Sequence, residues 1–233
     1  MPAPAFRSAL IVGAGSGFSA ALARRFAAEG MRVALAARHP DKLMSLVAET
    51  GAVAHACDAA DAAAVAHLFA AVDSTQPPLD LVVFNASARL RGPLVELDPH
   101  AVAQALTTSA MGGFHVGQHA ARRMLARGHG AILFTGASAS VKGFAQSAPF
   151  AMGKFALRGL AQSMARELGP KGIHVLHLVI DGGIASAARP TPAEAPDSLL
   201  DPAAIAETAW HTLNQPRSAW SHEVEVRPWV ERF

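Results

Sequence analysis

Residues 9–18, Ala9-Leu-Ile-Val-Gly-Ala-Gly-Ser-Gly-Phe18, form the stretch of sequence that decides the fold. A short apolar run, Ala9–Val12, leads directly into a turn that has three glycines, and a helical pattern follows at once. Glycines let the backbone turn tightly and approach a pyrophosphate, and the free amides at the start of a helix bind its negative charge. The stretch therefore predicts a phosphate-binding turn between a strand and a helix. The residues of this turn that we expect to bind a cofactor are Gly13, Gly15, Ser16, Gly17 and Phe18.

Outward from this turn, short apolar runs alternate with longer helical patterns. The predicted strands are Ala9–Val12, Arg32–Ala37, Val53–Cys57, Leu81–Phe84, Ala131–Phe134, Ile173–Ile180 and an edge strand, Glu223–Val226. The predicted helices are Gly17–Glu29, Pro40–Thr50, Asp61–Val72, Asp98–Ala126, Phe150–Leu168 and Asp201–Leu213. Such alternation is typical of right-handed crossovers and a parallel sheet covered on both faces. The sequence thus predicts an α/β fold, a single-domain Rossmann-type doubly wound parallel sheet flanked by helices, over residues 1–233.

The composition excludes several classes of protein. Charged residues make up 16% of the 233 residues, the formal net charge is +2, and no run of Lys or Arg suggests nucleic acid or a membrane surface as a partner. No segment approaches the ~20 uninterrupted apolar residues of a membrane span. Cys57 is the single cysteine, so no disulfide can form within the chain. These features, and the lack of an apolar leader before the glycine turn, predict a cytoplasmic protein.

The end of the second predicted strand indicates which dinucleotide is preferred. Proteins that prefer NAD usually place an acidic residue here, which binds the ribose 2′-hydroxyl. This chain has Ala37-Arg38-His39 instead, and the Arg38 guanidinium suits a 2′-phosphate. Ser16 offers a further hydrogen-bond donor. The sequence therefore favours NADP(H) over NAD(H).

Several stretches together resemble the short-chain dehydrogenase/reductase (SDR) family. Gly13 and Gly17 match the first two glycines of the family's opening turn, while Ser19 stands at the third. Asn85-Ala86-Ser87-Ala88 resembles the family's Asn-Asn-Ala-Gly segment, and residues 154–175 resemble its active-site helix and the strand after it. The resemblance implies additional cofactor contacts from Asp58, Asn85, Ala86, Lys154 and Ile184.

The chain departs from the family at its catalytic positions. The family's Tyr-x-x-x-Lys motif is replaced by Phe150 and Lys154, and the chain contains no tyrosine. Ala137 stands where the family has its catalytic serine, with Ser138 adjacent, and Ser109 stands where the family has its asparagine. Of the four usual catalytic groups, only the lysine is unchanged. The chain resembles a divergent subgroup in which phenylalanine replaces the tyrosine.

The missing phenol limits the chemistry that the chain can perform. Hydride transfer to a carbonyl leaves an alkoxide that needs a proton, and losing a general acid typically costs ~10²–10⁴ in rate. Ser138 and Ser147 are the nearest hydroxyl donors in sequence. We expect Lys154 and Ser138 to be the catalytic residues, with Lys154 also bound to the nicotinamide ribose. Asp181, which replaces a family proline, is expected to orient the nicotinamide amide, to act as an acid/base, or to be an ordinary turn residue.

Three functions remain open. The first is an NADP(H)-dependent oxidoreductase with a degenerate catalytic tetrad, acting on an unknown small molecule. The second is a non-catalytic NADP(H)-binding or regulatory protein, and the third is a scaffold subunit that pairs with an active homologue. The family resemblance implies a homodimer or homotetramer that pairs Asp98–Ala126 and Phe150–Leu168, and the small residues of these helices allow close packing. His115 and His119 have no evident third ligand, so no metal site is predicted.

Overall fold

Mostly apolar strands pair side by side in one parallel sheet at the centre of the molecule. The structure, a computed structural model, describes residues 6–231. In that range the strands are β1 (Ser8–Val12), β2 (Arg32–Ala37), β3 (Val53–Ala56), β4 (Leu81–Phe84), β5 (Gly130–Thr135), β6 (Ile173–Ile180) and β7 (Glu223–Val226). Their order across the sheet is β3-β2-β1-β4-β5-β6-β7, and every pair is parallel. The predicted doubly wound α/β architecture is confirmed.

The helices connect these strands and cover both faces of the sheet. They are α1 (Phe18–Ala28), α2 (Met44–Thr50), α3 (Ala62–Thr75), α4 (Pro99–Leu106), α5 (Gly112–Leu125), α6 (Ala148–Leu168) and α7 (Pro202–Leu213). An aspartate precedes three of them, and its carboxylate accepts backbone amides of the first turn: Asp61, Asp98 and Asp201. Such a cap satisfies amides that have no partner within the helix, and it sets where the helix begins.

The predicted helix Asp98–Ala126 is the largest departure from the sequence-based expectation. The structure divides it into α4 and α5, separated by a wider π-helical turn over Thr107–Met111. The hydroxyl of Ser109, in the middle of this turn, accepts a hydrogen bond from the backbone amide of Ala88 at 3.1 Å. A π turn adds one residue to a helix without changing its composition, so hydrophobic periodicity does not reveal it.

Two smaller boundary differences occur near the start of the chain. The predicted helix Pro40–Thr50 begins with a 3₁₀ turn over Pro40–Leu43, before α2. The predicted strand Val53–Cys57 ends at Ala56, although the Cys57 amide still donates to the carbonyl of Ala37 at 3.0 Å.

The core has two halves, one on each face of the sheet. Alternate side chains of β1 point to opposite faces: Ala9 and Ile11 pack in the cluster under α1 and α7, while Leu10 and Val12 pack in the cluster under α3, α5 and α6. Because both faces are covered, all five residues of β1 are buried. Burial on both faces explains why the strands are continuous apolar runs.

The carboxyl ends of the central strands position the candidate site. β1 leads into the glycine turn, β4 leads into the segment that begins with Asn85, and these two strands are neighbours in the sheet. The chain turns in opposite directions from β1 and β4, so a crevice opens between the loops that follow them. Ligands of open α/β sheets bind at this kind of switch point.

Candidate functional site

Two adjoining clefts open along the carboxyl edge of the sheet. The glycine cleft has a volume of about 440 Å³ and is lined by residues that include Gly13, Gly15, Ser16, Arg38 and Asp58. The lysine cleft has a volume of about 550 Å³ and is lined by residues that include Ser138, Phe150, Lys154, Gly182 and Ile184. Asn85 and Ser87 line both clefts, so the two form one elongated site.

The glycine turn has the geometry that a phosphate cradle requires. Gly13 has φ +85°, and a Cβ there would lie 2.3 Å from the backbone nitrogen of Ala86, so only glycine fits. At Gly15 and Gly17 a Cβ would meet nothing within 4 Å. The turn is therefore fixed by close packing at its first glycine and faces open space at the next two, where a pyrophosphate would approach.

A small hydrogen-bond network holds this turn in place. Asn85 Nδ2 donates to the carbonyl oxygen of Gly13 at 3.3 Å and to Ser19 Oγ at 2.8 Å, and Ser19 Oγ donates to the same carbonyl at 3.1 Å. Ser19, which stands at the place of the family's third glycine, thus supports the turn with its side chain. The side-chain amide of Asn85 therefore stabilises the turn, and Asn85 also lines both clefts.

The mouth of the glycine cleft beyond β2 is basic. Arg38, His39 and Lys42 line it, and Arg38 makes no ion pair with any residue in the described range. Asp58 lines the same cleft, and its Oδ1 accepts the amide of Ala60 at 3.0 Å. Sequence reasoning missed Lys42, since a lysine in the turn before α2 has no motif. Three basic side chains here suit a phosphate group.

The remaining predicted cofactor residues divide between the clefts. Ser16 and Ala86 line the glycine cleft, and Ile184 lines the lysine cleft in a short parallel bridge to Leu200. The side chain of Phe18 is buried in the core at the first position of α1, so only its backbone faces the turn.

Lys154 lies at the buried end of the lysine cleft, on α6. Its side chain enters the cleft floor with 4% of the residue exposed, and Nζ donates to the carbonyl oxygen of Thr135 at 2.6 Å. Burial, and secondarily the charge of Arg89, lower the pKa of Lys154 to about 8. No carboxylate accompanies it as an ion-pair partner within residues 6–231. The ammonium group keeps two further N–H donors for a ligand.

Phe150 occupies the wall beside Lys154, one helical turn away on α6. Its ring centroid lies 5.9 Å from Lys154 Nζ and 4.8 Å from the guanidinium carbon of Arg89. The ring is half-buried and carries no exchangeable proton, so it supplies an apolar wall and a face for cations. Arg89 was not identified from the sequence because it follows β4 in an irregular loop.

Ser138 does not stand free in the lysine cleft, because its hydroxyl is hydrogen-bonded to Asp181. Lys142 Nζ donates to Asp181 Oδ2 at 3.3 Å. Burial of the Asp181 carboxyl works to raise its pKa, but the hydrogen bonds from Ser138 and Lys142 outweigh burial and leave the pKa below its ordinary value. Ser138 donates to this carboxylate, so its oxygen is left to accept a hydrogen bond from a ligand. Ser147 also lines the cleft and is buried.

Three other residues singled out from the sequence lie away from ligand chemistry. Ser109, at the family's asparagine position, is buried and bound to the Ala88 amide. His119 stacks on the ring of Phe69, with centroids 5.2 Å apart, four residues after His115. Among residues 6–231, no cluster of three or more His, Cys, Asp or Glu side chains has the arrangement of a metal site. Helices in the same range are all too short or too polar to span a bilayer.

Comparisons with known proteins agree with this architecture. The sequence model of the short chain dehydrogenase family matches residues 7–193. A 3-oxoacyl-[acyl-carrier-protein] reductase MabA from Mycobacterium avium is 32% identical over 175 residues, which cover 73% of this chain and 65% of that relative. The chain thus matches a little less than two thirds of this relative's length.

Solved structures extend the similarity to nearly the whole chain. A short-chain dehydrogenase from Rhodopseudomonas palustris superposes with a TM-score of 0.84 at 38% identity, covering 97% of this chain and 100% of that one. A metagenomic short-chain oxidoreductase in complex with NADP superposes with a TM-score of 0.83 at 26% identity, covering 96% and 98%.

Proposed function

Because this chain belongs to the short-chain dehydrogenase/reductase family, we propose that it is an NADP(H)-dependent oxidoreductase with a degenerate catalytic tetrad that acts on a small molecule. One observation carries the proposal. Lys154 is held at the floor of a cleft that continues into the glycine turn, while Phe150 fills the wall where the family has a phenol. We infer from Phe150 that the chain belongs to a subgroup that keeps the lysine without the tyrosine.

The residues of both clefts fit a nicotinamide dinucleotide. The amides of the turn from Gly13 to Phe18 would bind the pyrophosphate, and Arg38 and Lys42 would bind a ribose 2′-phosphate. The two remaining N–H donors of Lys154 would bind the hydroxyls of the second ribose. When bound, the cofactor supplies the hydride. Preference for NADP(H) over NAD(H) follows from the basic mouth beyond β2.

Proton delivery is the step that this chain supports least well. Reduction of a carbonyl adds a hydride to carbon and a proton to oxygen, and Phe150 has no proton to give. Lys154 has a pKa of about 8 and remains bound to the Thr135 carbonyl, so it is suited to hold or pass a proton near neutral pH. Water in the open cleft would then supply the proton slowly. An activated C=C or C=N bond is an equally suitable acceptor of the hydride.

A second candidate function is a non-catalytic NADP(H)-binding or regulatory protein. The hydroxyl of Ser138 is bound to Asp181, and that of Ser109 is bound to the Ala88 amide. Ser138 directs its proton to Asp181, and Ser109 accepts the amide while it is buried and absent from the lining of the lysine cleft, so neither presents a free proton donor to the cleft. This arrangement favours binding of the dinucleotide without rapid turnover.

Nucleotide titration followed by a substrate screen tests both candidates. NADPH fluorescence should change on binding, and NADPH should bind more tightly than NADH. Slow oxidation of NADPH with a carbonyl or activated alkene supports the oxidoreductase, whereas binding without turnover of any substrate favours the regulatory protein. Absence of nucleotide binding would overturn both. Turnover on the order of 1–10³ per second would show that the tetrad is not degenerate in function.

We also propose that the protein is a two-fold homodimer or a homotetramer that pairs α5 and α6. Large apolar side chains are exposed along these helices and the π turn before them: Met111, Phe114, Met152 and Phe155. Exposed large apolar side chains on helices that pack together are typical of an interface between copies. Light scattering at micromolar concentration should give a multiple of the 24.1 kDa chain mass. Phe155→Glu should shift it to the monomer, and a monomeric wild type would contradict the proposal.

The single cysteine supports the proposed cytoplasmic location. Cys57 is buried, and burial, with smaller contributions from Asp58 and Asp61, raises the pKa of its thiol to about 11. Such a thiol stays protonated and unreactive. Cell fractionation with a tagged chain would test the location, and recovery from the membrane fraction would contradict it.

A further inference from the structure

Cationic side chains dominate the lysine cleft. Arg89, Arg91 and Arg189 line it together with Lys154, and no Asp or Glu is among its described lining residues. We propose that the cleft selects an anionic substrate, a small oxo or hydroxy compound that carries a carboxylate or phosphate group, and that Arg89 and Arg91 bind the anion. The inference rests on the proposed oxidoreductase function and names the substrate class of the same site.

The charges of these arginines are not neutralised by the protein. Elsewhere in residues 6–231, arginines form ion pairs with carboxylates, as Arg24 does with Glu49 and Arg158 with Glu223. None of the three arginines of the lysine cleft has a carboxylate within 4.0 Å in that range. The nearby Asp181 carboxylate is buried and already accepts hydrogen bonds from Ser138 and Lys142.

Arg89 is placed so that its hydrogen-bond donors are free. Its guanidinium carbon lies 4.8 Å from the centroid of the Phe150 ring, and the side chain donates no hydrogen bond to another residue between 6 and 231. Contact with a ring uses the face of a guanidinium, whereas its five N–H groups lie in the plane and point outward. The ring therefore holds Arg89 in place and leaves it able to bind two oxygens of one anion.

Two positive charges lie beside one apolar ring. The Phe150 centroid lies 5.9 Å from Lys154 Nζ and 4.8 Å from the guanidinium carbon of Arg89. Their repulsion contributes to the lowered pKa of Lys154, after burial. An anion bound in the cleft near both cations would relieve this repulsion and would also place its carbonyl or hydroxyl carbon within the cleft that holds Lys154.

Arg189, the third arginine of the lysine cleft, lies beside the loop that follows β6. Its guanidinium lies against the backbone of Gly183, where an added Cβ would come within 2.5 Å of Nη1. That loop follows β6 and borders the place proposed for the cofactor. A contact between Arg189 and the cofactor pyrophosphate would explain this residue equally well, so the test uses Arg89 and Arg91.

The experiment measures binding to the full chain saturated with NADP⁺, so that no turnover occurs. Two matched pairs serve as probes in calorimetry: acetoacetate with methyl acetoacetate, and dihydroxyacetone phosphate with dihydroxyacetone. We expect the anionic member of at least one pair to bind roughly tenfold more tightly than its neutral partner. The first pair reports a carboxylate and the second a phosphate.

Substitution connects the charge preference to the named residues. Arg89→Ala and Arg91→Ala should each weaken binding of the preferred anion by roughly tenfold and leave the neutral probe unchanged. Arg32→Ala is the matched control, because Arg32 is exposed, has no ion pair between residues 6 and 231, and begins β2 at the opposite edge of the sheet. If Arg89→Ala does not fold, Arg91→Ala decides the question.

The outcomes separate this inference from the proposed function. If the proposed function is wrong, the wild type will not bind NADPH in the titration, whatever affinities are measured for the probes. If the wild type does bind NADPH, equal affinity of the NADP⁺-saturated chain for charged and neutral probes overturns the inference, as does failure of both anions to bind at millimolar concentration. An anion preference that survives both arginine substitutions also overturns it.

Discussion

The glycine cleft and the lysine cleft share one edge of the sheet, but they differ in how far their residues match the family. In the glycine cleft, Ser19 differs from the family's third glycine, but its side chain supports the turn through hydrogen bonds with Gly13 and Asn85. In the lysine cleft, Phe150 leaves the lysine without a phenol, and Ser138 is bound to Asp181. Apart from Lys154, which would serve both tasks, dinucleotide binding and proton transfer therefore depend on different residues, and one can change while the other is kept. The predictions test this separation, from the largest expected effect to the smallest.

The largest effect is expected at the first glycine of the turn. Gly13→Ala places a Cβ 2.3 Å from a backbone nitrogen at φ +85°, so the two loops must move apart. We expect a loss of roughly 3 kcal/mol or more in the free energy of unfolding, measured by urea denaturation. Gly15→Ala is the matched control. It meets nothing within 4 Å and should change stability by less than about 1 kcal/mol while weakening NADPH binding. Equal stability of the two variants would contradict the packing argument.

Removal of the Arg38 guanidinium, beyond the end of β2, should weaken the binding of NADPH but not of NADH. Arg38→Ala should weaken NADPH binding by roughly tenfold to hundredfold, because a charge-assisted bond to the 2′-phosphate is lost. NADH affinity should stay the same, and Arg32→Ala should change neither. Fluorescence titration of both nucleotides gives the comparison. A wild-type protein that binds NADH as tightly as NADPH would show that the basic mouth of the glycine cleft does not select the cofactor.

Lys154 makes the lysine cleft sensitive to pH. Its pKa of about 8 in the folded chain lies below the ordinary lysine value of 10.5, so the folded state disfavours the charged form. This destabilisation is complete below pH 8 and disappears as pH rises through 10.5. Between pH 7 and pH 9.5 the wild type should therefore gain about 2 kcal/mol of unfolding free energy relative to Lys154→Met. Denaturation at both pH values measures the difference, and parallel behaviour of the two proteins would refute the lowered pKa.

The fold could be predicted because its signals are local. Strands such as β1 are buried on both faces, so a continuous apolar run marks each of them, and glycine turns mark where helices begin or end. The π turn at Thr107–Met111 could not be predicted, because hydrophobic periodicity does not reveal it and its contact, between Ser109 and the Ala88 amide, joins segments distant in sequence.

The candidate site also has residues that the sequence predicts and contacts that it does not. The sequence predicts the glycine turn and Lys154, because strand–turn–helix order and motif spacing identify them. It does not predict that Ser138 binds Asp181 or that Arg89 stacks on Phe150, since each pair joins loops after different strands. Only the order of strands in the sheet brings such loops together.

The smallest effect is expected from restoring the phenol. Phe150→Tyr adds one oxygen to a half-buried wall near two cations, and these charges favour its ionised form and a lowered pKa. The stability of the fold should change by less than about 1 kcal/mol, because the hydroxyl can reach the open cleft. With NADPH and an activated carbonyl such as 2,3-butanedione, reduction should rise by roughly tenfold. This gain is less than the ~10²–10⁴ that a general acid typically supplies, because Ala137 and Ser109 still lack the family's other polar groups.

Two further variants show whether the position of the phenol matters. Phe144 lines the same cleft but lies by Lys142, so Phe144→Tyr should leave the rate unchanged. Adding Ala137→Ser to Phe150→Tyr should raise the rate again, because a hydroxyl there would polarise the carbonyl. Loss of NADPH absorbance follows all of these reactions. An equal gain from both tyrosines would mean that any phenol in the cleft suffices. No gain from Phe150→Tyr in a protein that binds NADPH would mean that Phe150 does not stand in for the tyrosine, and proton transfer would then have to be sought elsewhere in the lysine cleft.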